Sequence, residues 1–66
     1  MKTIRHQAAV MGYQVEGRLH RAKDDVFQKN GVEVHHKIYI DDAGAEYAVN
    51  WRGDLVYIVT ADGGVI

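Results

Sequence analysis

The 66-residue chain contains no cysteine, no proline and no serine. Without cysteine there is no disulfide framework and no thiolate metal site, and a reducing compartment is the natural expectation. Without serine or cysteine the usual nucleophiles and their triads are excluded, leaving Thr3, Thr60 and the tyrosines as the only hydroxyls. Long apolar runs are missing as well. No stretch approaches the ~20 residues of a membrane span, and MKTIRHQAAVMGY has no apolar core of signal-peptide length. A cytoplasmic protein without membrane contact is expected. No glycine-rich phosphate loop is present, since ADGG (61–64) lacks the lysine and helix of a P-loop.

Hydrophobic residues make up 47% and charged residues 26%, an ordinary globular balance. The length allows one small domain with a thin core, spanning 1–66. Net charge is −1, so nothing draws the whole chain towards nucleic acid. The charges are nevertheless uneven. Residues 1–40 hold seven Lys/Arg against four Asp/Glu, and residues 41–66 hold one Arg against five acids. Most of those acids fall at turn signals, where aspartate is favoured for its own backbone chemistry.

The second half reads as a three-stranded meander. In VEVHHKIYI (32–40), Val32, Val34, His36, Ile38 and Ile40 alternate with Glu33, His35, Lys37 and Tyr39. DDAG (41–44) is a turn signal. Treated as a four-residue loop, it sets Ile40 opposite Ala45, Ile38 opposite Tyr47, His36 opposite Val49 and Val34 opposite Trp51, so that the apolar faces coincide. Trp51, the only tryptophan, is then expected to anchor the core. RGD (52–54) makes a second turn; it spells the integrin tripeptide, but a hairpin turn accounts for it. LVYIVT (55–60) is a strand apolar on both faces, and ADGG leads to a short apolar tail, Val65 and Ile66.

The first half is more ambiguous. GRLHRAKDDVFQKNG (17–31) places Leu19, Ala22, Val26 and Phe27 at helical spacing and stops at Gly31. The competing reading is a hairpin turning at Asn30-Gly31. Ala9, Met11, Tyr13 and Val15 alternate as a strand would. The expected architecture is therefore α+β, one helix packed on an antiparallel sheet with a C-terminal three-stranded meander; the alternative is a small all-β barrel.

Four histidines are available for metal, His6, His20, His35 and His36, but their spacing matches no ligand pattern. Neighbours on a strand point to opposite faces, so His35 and His36 do not chelate one ion from a regular strand. His36 is expected to be a partly buried neutral imidazole with one hydrogen bond. No metal or cofactor is expected.

One constellation carries the functional reading. On the polar face, Glu33 is expected opposite Arg52, His35 opposite Asn50, and Lys37 and Tyr39 beside them. This set suits a partner-binding surface. The expected function is a non-enzymatic protein-interaction module, a regulator or inhibitor of the kind that bacteria and phages encode. Aromatic and cationic groups on a sheet also suit single-stranded nucleic acid, and metal-independent ribonuclease chemistry is a more distant alternative. A homodimer through the strand from Leu55 to Thr60 is expected, because one helix cannot cover both of its apolar faces.

Overall fold

The computed structural model describes residues 2–66. One short helix, α1 (Ile4–Val10), precedes four strands, β1 (His20–Lys29), β2 (Val32–Ile40), β3 (Glu46–Val49) and β4 (Leu55–Val59). The strands form one antiparallel open sheet in chain order, so the fold is α+β and does not close into a barrel. Among the described residues no helix is long and apolar enough to cross a membrane.

The helix is not where its periodicity was expected. Residues 20–29 form β1, because Asn30 and Gly31 adopt φ of 53° and 76° and close a two-residue hairpin onto β2. Positive φ at both central residues is the type I′ signature, whose twist matches that of paired strands. The apparent helical stripe is not one buried face: Leu19 packs at the core, but Val26 and Phe27 are 49% and 39% exposed. The segment read as a leading strand is instead α1 and the extended strap that follows it. Thr3 caps the helix, its Oγ1 accepting from His6 N at 3.0 Å. Ile4, Ala8 and Met11 lie at helical spacing and turn towards the core. At the far end Gly12 (φ 87°) donates to Ala9 O and Tyr13 N to Ala8 O, a Schellman closure that only glycine enters without strain.

Three later turns share one construction. Asp41, Asn50 and Thr60 each accept from the glycine three residues on (Gly44, Gly53, Gly63) and donate to the carbonyl four residues on (Ala45, Asp54, Gly64). All three glycines have φ between 83° and 96°. A type I turn followed by a left-handed residue is the three-residue hairpin loop. The β2–β3 loop is therefore 42–44, one residue shorter than DDAG, and this moves the register. Tyr39 pairs with Tyr47, Ile38 with Ala48, Lys37 with Val49 and Ile40 with Glu46.

A one-residue slip exchanges the faces of a strand. Tyr47 thus shares its face with Tyr39, and it is this face that α1 and the strap cover. The core is Ala8, Val15, Ala45, Tyr47 and Ile58, with Ile4, Met11, Tyr13, Leu19, Tyr39 and Leu55 packed around it. Gln7 ties the helix to the sheet, donating to Gly53 O at 3.0 Å and accepting from Leu55 N at 2.9 Å. Arg5 ties it to the strap through Gly17 O at 2.6 Å.

The opposite face carries Val34, His36, Ile38, Ala48 and Tyr57. Small Ala48 lets Tyr57 lean across β3, so that His36 meets both Tyr57 (centroids 6.0 Å apart) and Phe27 (5.2 Å), each edge-on. Ile38 and Ala48 are buried there without a helix above them. His36 does not find the expected hydrogen bond at Nδ1, which is buried without a partner among the described residues. The C-terminal tail folds back on its own chain. Ile66 exchanges both backbone bonds with Ile58 at 2.8 and 3.2 Å, and Thr60 N reaches Gly64 O at 2.7 Å.

Candidate functional site

Hydrogen bonds concentrate at the β2–β3 turn. Asp41 is 3% exposed and its carboxylate accepts four hydrogen bonds. Oδ1 takes Ala43 N and Ala45 N at 3.0 and 2.9 Å; Oδ2 takes Glu16 N at 3.1 Å and the Tyr47 hydroxyl at 2.7 Å. Burial pushes this carboxyl up, but the four donors outweigh burial and hold its pKa below the ordinary value. Burial, and then the bond to Asp41, push the Tyr47 hydroxyl well above the usual tyrosine range. Asp42 continues the attachment by accepting from Arg18 N at 3.1 Å, with His20 Nε2 at 3.2 Å. Gly17 makes room for it, since a Cβ there would lie 2.0 Å from Asp42 Oδ2. These acids, which read as ordinary turn residues in the sequence, tie the turn to the strap.

The β3–β4 turn has the same backbone but a different outcome. Asn50 Oδ1 accepts from Arg52 N and Asp54 N at 3.0 and 2.9 Å, which ends β3 at Val49 and swings Trp51 outward. Trp51 is 80% exposed and does not anchor the core; the slip in register and the Asn50 cap remove it from the position opposite Val34. The guanidinium of Arg52 stacks on its ring, 4.9 Å from the centroid. Cation–π pairing at an exposed site favours this stacked arrangement by about 0.5–1 kcal/mol.

Beside this turn the half of β2 next to the Asn30-Gly31 turn has β1 on one side and, among the described residues, no strand on the other. Pairing between β2 and β3 stops at Lys37 and Val49. Lys29 and Val32 flank the two-residue turn as its hydrogen-bonded pair, so by alternation Glu33 and His35 aim their backbone groups away from β1, into the empty lane beyond β3. A groove of about 530 Å³ follows this lane, lined by Val32, Val34, His36, Trp51 and Val56, with Glu33, His35 and Asn50 as its polar groups. His35 Nε2 lies 2.7 Å from Glu33 Oε1, and both side chains are exposed.

The six residues expected to form the contact surface are therefore only partly united. Glu33, His35 and Asn50 line the groove, and Arg52 reaches its edge through Trp51. The expected cross-strand pairs between them do not form, because the slip places Lys37 opposite Val49 and Tyr39 opposite Tyr47. Lys37 is exposed away from the groove lining. Tyr39 is half-buried against the core, with the Arg21 guanidinium 5.8 Å from its ring centroid. Sequence reasoning missed Trp51 as a surface residue. The available signal was Asn50 with Gly53 three residues later, the residues that a type I turn favours at its ends. Among the described residues no three His, Asp or Glu side chains converge as metal ligands would. The chain matches no protein-family model, no curated protein sequence and no solved structure.

Proposed function

We propose that the chain is a non-enzymatic interaction module of the cytoplasm that holds a partner protein in the groove between the β1–β2 hairpin and Trp51. One observation carries this reading. The single tryptophan, the largest apolar side chain in the protein, is 80% exposed and is held in place by a stacked arginine. Tryptophan and arginine are the residues most enriched among interface hot spots. Val32 and Val56, 63% and 41% exposed, extend the apolar surface beside it. The polar rim of Glu33, His35 and Asn50, and the unpaired backbone of Glu33 and His35, offer donors and acceptors to an extended segment.

Single-stranded nucleic acid is the second reading, favoured by the Trp51–Arg52 pair as a stacking platform. Glu33 in the groove wall and an overall charge of −1 weigh against it. A capture experiment separates the two. Tagged wild type and Trp51→Ala, both checked for folding, are passed over nuclease-treated and untreated lysate of the source cell. A protein retained by wild type after nuclease treatment and lost from the folded variant supports the proposal. Retention that disappears with nuclease supports nucleic acid, and equal retention by both chains overturns the placement.

A further inference from the structure

Among the described residues β2 is the only hydrogen-bonded neighbour of β1 in the sheet, so the outer side of β1 is unpaired there. The other edge of the sheet is taken within the chain: Ile58 and Thr60 bond the tail, and Leu55 N bonds Gln7. A dimer expected through the strand at 55–60 thus finds its edge occupied, whereas β1 is open. In β1, Lys29, Phe27 and Asp25 bond inward to β2, opposite Val32, Val34 and His36, and the backbone groups of Gln28, Val26 and Asp24 point outward.

We propose that a second copy of the chain docks antiparallel on this edge, with a two-fold axis passing through Phe27, to give one continuous eight-stranded sheet. Charge complementarity selects that axis. In this register Val26 and Gln28 exchange backbone hydrogen bonds with Gln28 and Val26 of the second copy. Phe27 meets its symmetry mate. Asp25 faces Lys29 of the second copy, and Lys29 faces the second Asp25. These are non-hydrogen-bonded pairs, the positions where opposed side chains approach most closely. Hydrogen-bond alternation restricts the axis to passing through a residue rather than between two. An axis through Val26 opposes Lys23 and Lys29, and axes through Asp24 or Asp25 oppose two aspartates. Like charges directly opposite destabilise a sheet. An axis through Gln28 leaves Asp25 opposite Gly31. Only the Phe27 axis pairs opposite charges and opposes no like ones. It also covers Val26 and Phe27, 49% and 39% exposed in the single chain.

Sedimentation equilibrium over a concentration series tests this. Wild type should rise from 7.4 kDa towards twice that mass. Asp25→Lys and Lys29→Asp should each weaken the dimer by about tenfold or more, since each turns both symmetric pairs repulsive. An equimolar mixture of the two variants should associate nearly as well as wild type, because every facing pair is again of opposite sign. Far-UV circular dichroism checks that each variant is folded. Should Asp25→Lys fail to fold, the exposed Lys29→Asp carries the test alone, with Lys29→Arg expected to keep the dimer. A wild-type mass constant at 7.4 kDa into the high micromolar range, or a dimer indifferent to these charge reversals, would overturn the proposal.

Discussion

The turns at Asp41 and Asn50 are built alike and used in opposite ways. Each starts with a side-chain oxygen, of a carboxylate in one and an amide in the other, that accepts from the amides two and four residues on, and each closes on a left-handed glycine. Asp41 has a second oxygen, and it joins Glu16 and Tyr47 to the turn. Asn50 has an amide there instead, and its turn presents Trp51 and Arg52 to solvent. The local backbone is set by the same few residues in both. Whether a turn ties the fold or offers a surface depends on what else its first side chain can reach.

This contrast breaks first at Asp41. Asp41→Ala leaves the Tyr47 hydroxyl and three amides without their acceptor, a loss of about 3 kcal/mol or more. A domain of this size has on the order of 5 kcal/mol in total, so the variant should be largely unfolded at 25 °C by circular dichroism. Asn50→Ala removes a comparable cap at a more exposed site and should cost only about 1 kcal/mol in a thermal melt.

The same residue should contribute to acid sensitivity, alongside Asp42, Asp54 and Asp62, whose carboxyls are also held below the ordinary value by their hydrogen bonds. The Asp41 carboxyl has a folded pKa below its ordinary value of 3.8. A depressed carboxylate contributes its full stability above the unfolded pKa and loses it as pH falls through the folded pKa. Urea midpoints should therefore hold above about pH 4 and fall below it. Asp41→Asn, if it folds, should show a shallower fall; an unchanged slope would place the acid sensitivity elsewhere. Tyr47→Phe tests the tie between turn and core, and should cost about 1–2 kcal/mol, with the sheet retained in its far-UV spectrum.

The smallest effect on stability belongs to Trp51. Truncating a buried tryptophan costs about 3–5 kcal/mol, but here Trp51→Ala should shift stability by less than about 1 kcal/mol, mainly through the lost stack with Arg52. A cooperative loss of several kcal/mol would return Trp51 to the core. If the proposed interaction holds, binding should move the other way, with Trp51→Ala losing capture while keeping its fold.

The same comparison shows what could be read before the structure. The α+β class, the antiparallel meander and every later turn are legible from alternation and from glycines three residues after Asp41, Asn50 and Thr60. The face assignment was not, because it rests on whether the loop is 41–44 or 42–44, and one residue reverses every side chain of β2 relative to β3. The helix was misplaced for a related reason. Residues 19–27 carry a helical stripe, but the Asn30-Gly31 turn delivers a long partner strand, and pairing overrides weak local periodicity. The helix that does form is seven residues long, too short for periodicity to declare it, and its signals are the Thr3 cap and Gly12. For the site, residue identity was more informative than pairing. Glu33, His35, Asn50 and Arg52 gather near one groove although none faces the residue expected of it, and Trp51 joins them.

Native-state amide hydrogen exchange addresses the difference between the two ends most directly. The amides of Glu16, Ala43 and Ala45, held by Asp41, should exchange only through global unfolding, and those of Glu33 and His35, aimed into the vacant lane beside Trp51, should exchange orders of magnitude faster. Equal protection at both sets of amides would contradict the account, because the lane would then be filled and the groove closed.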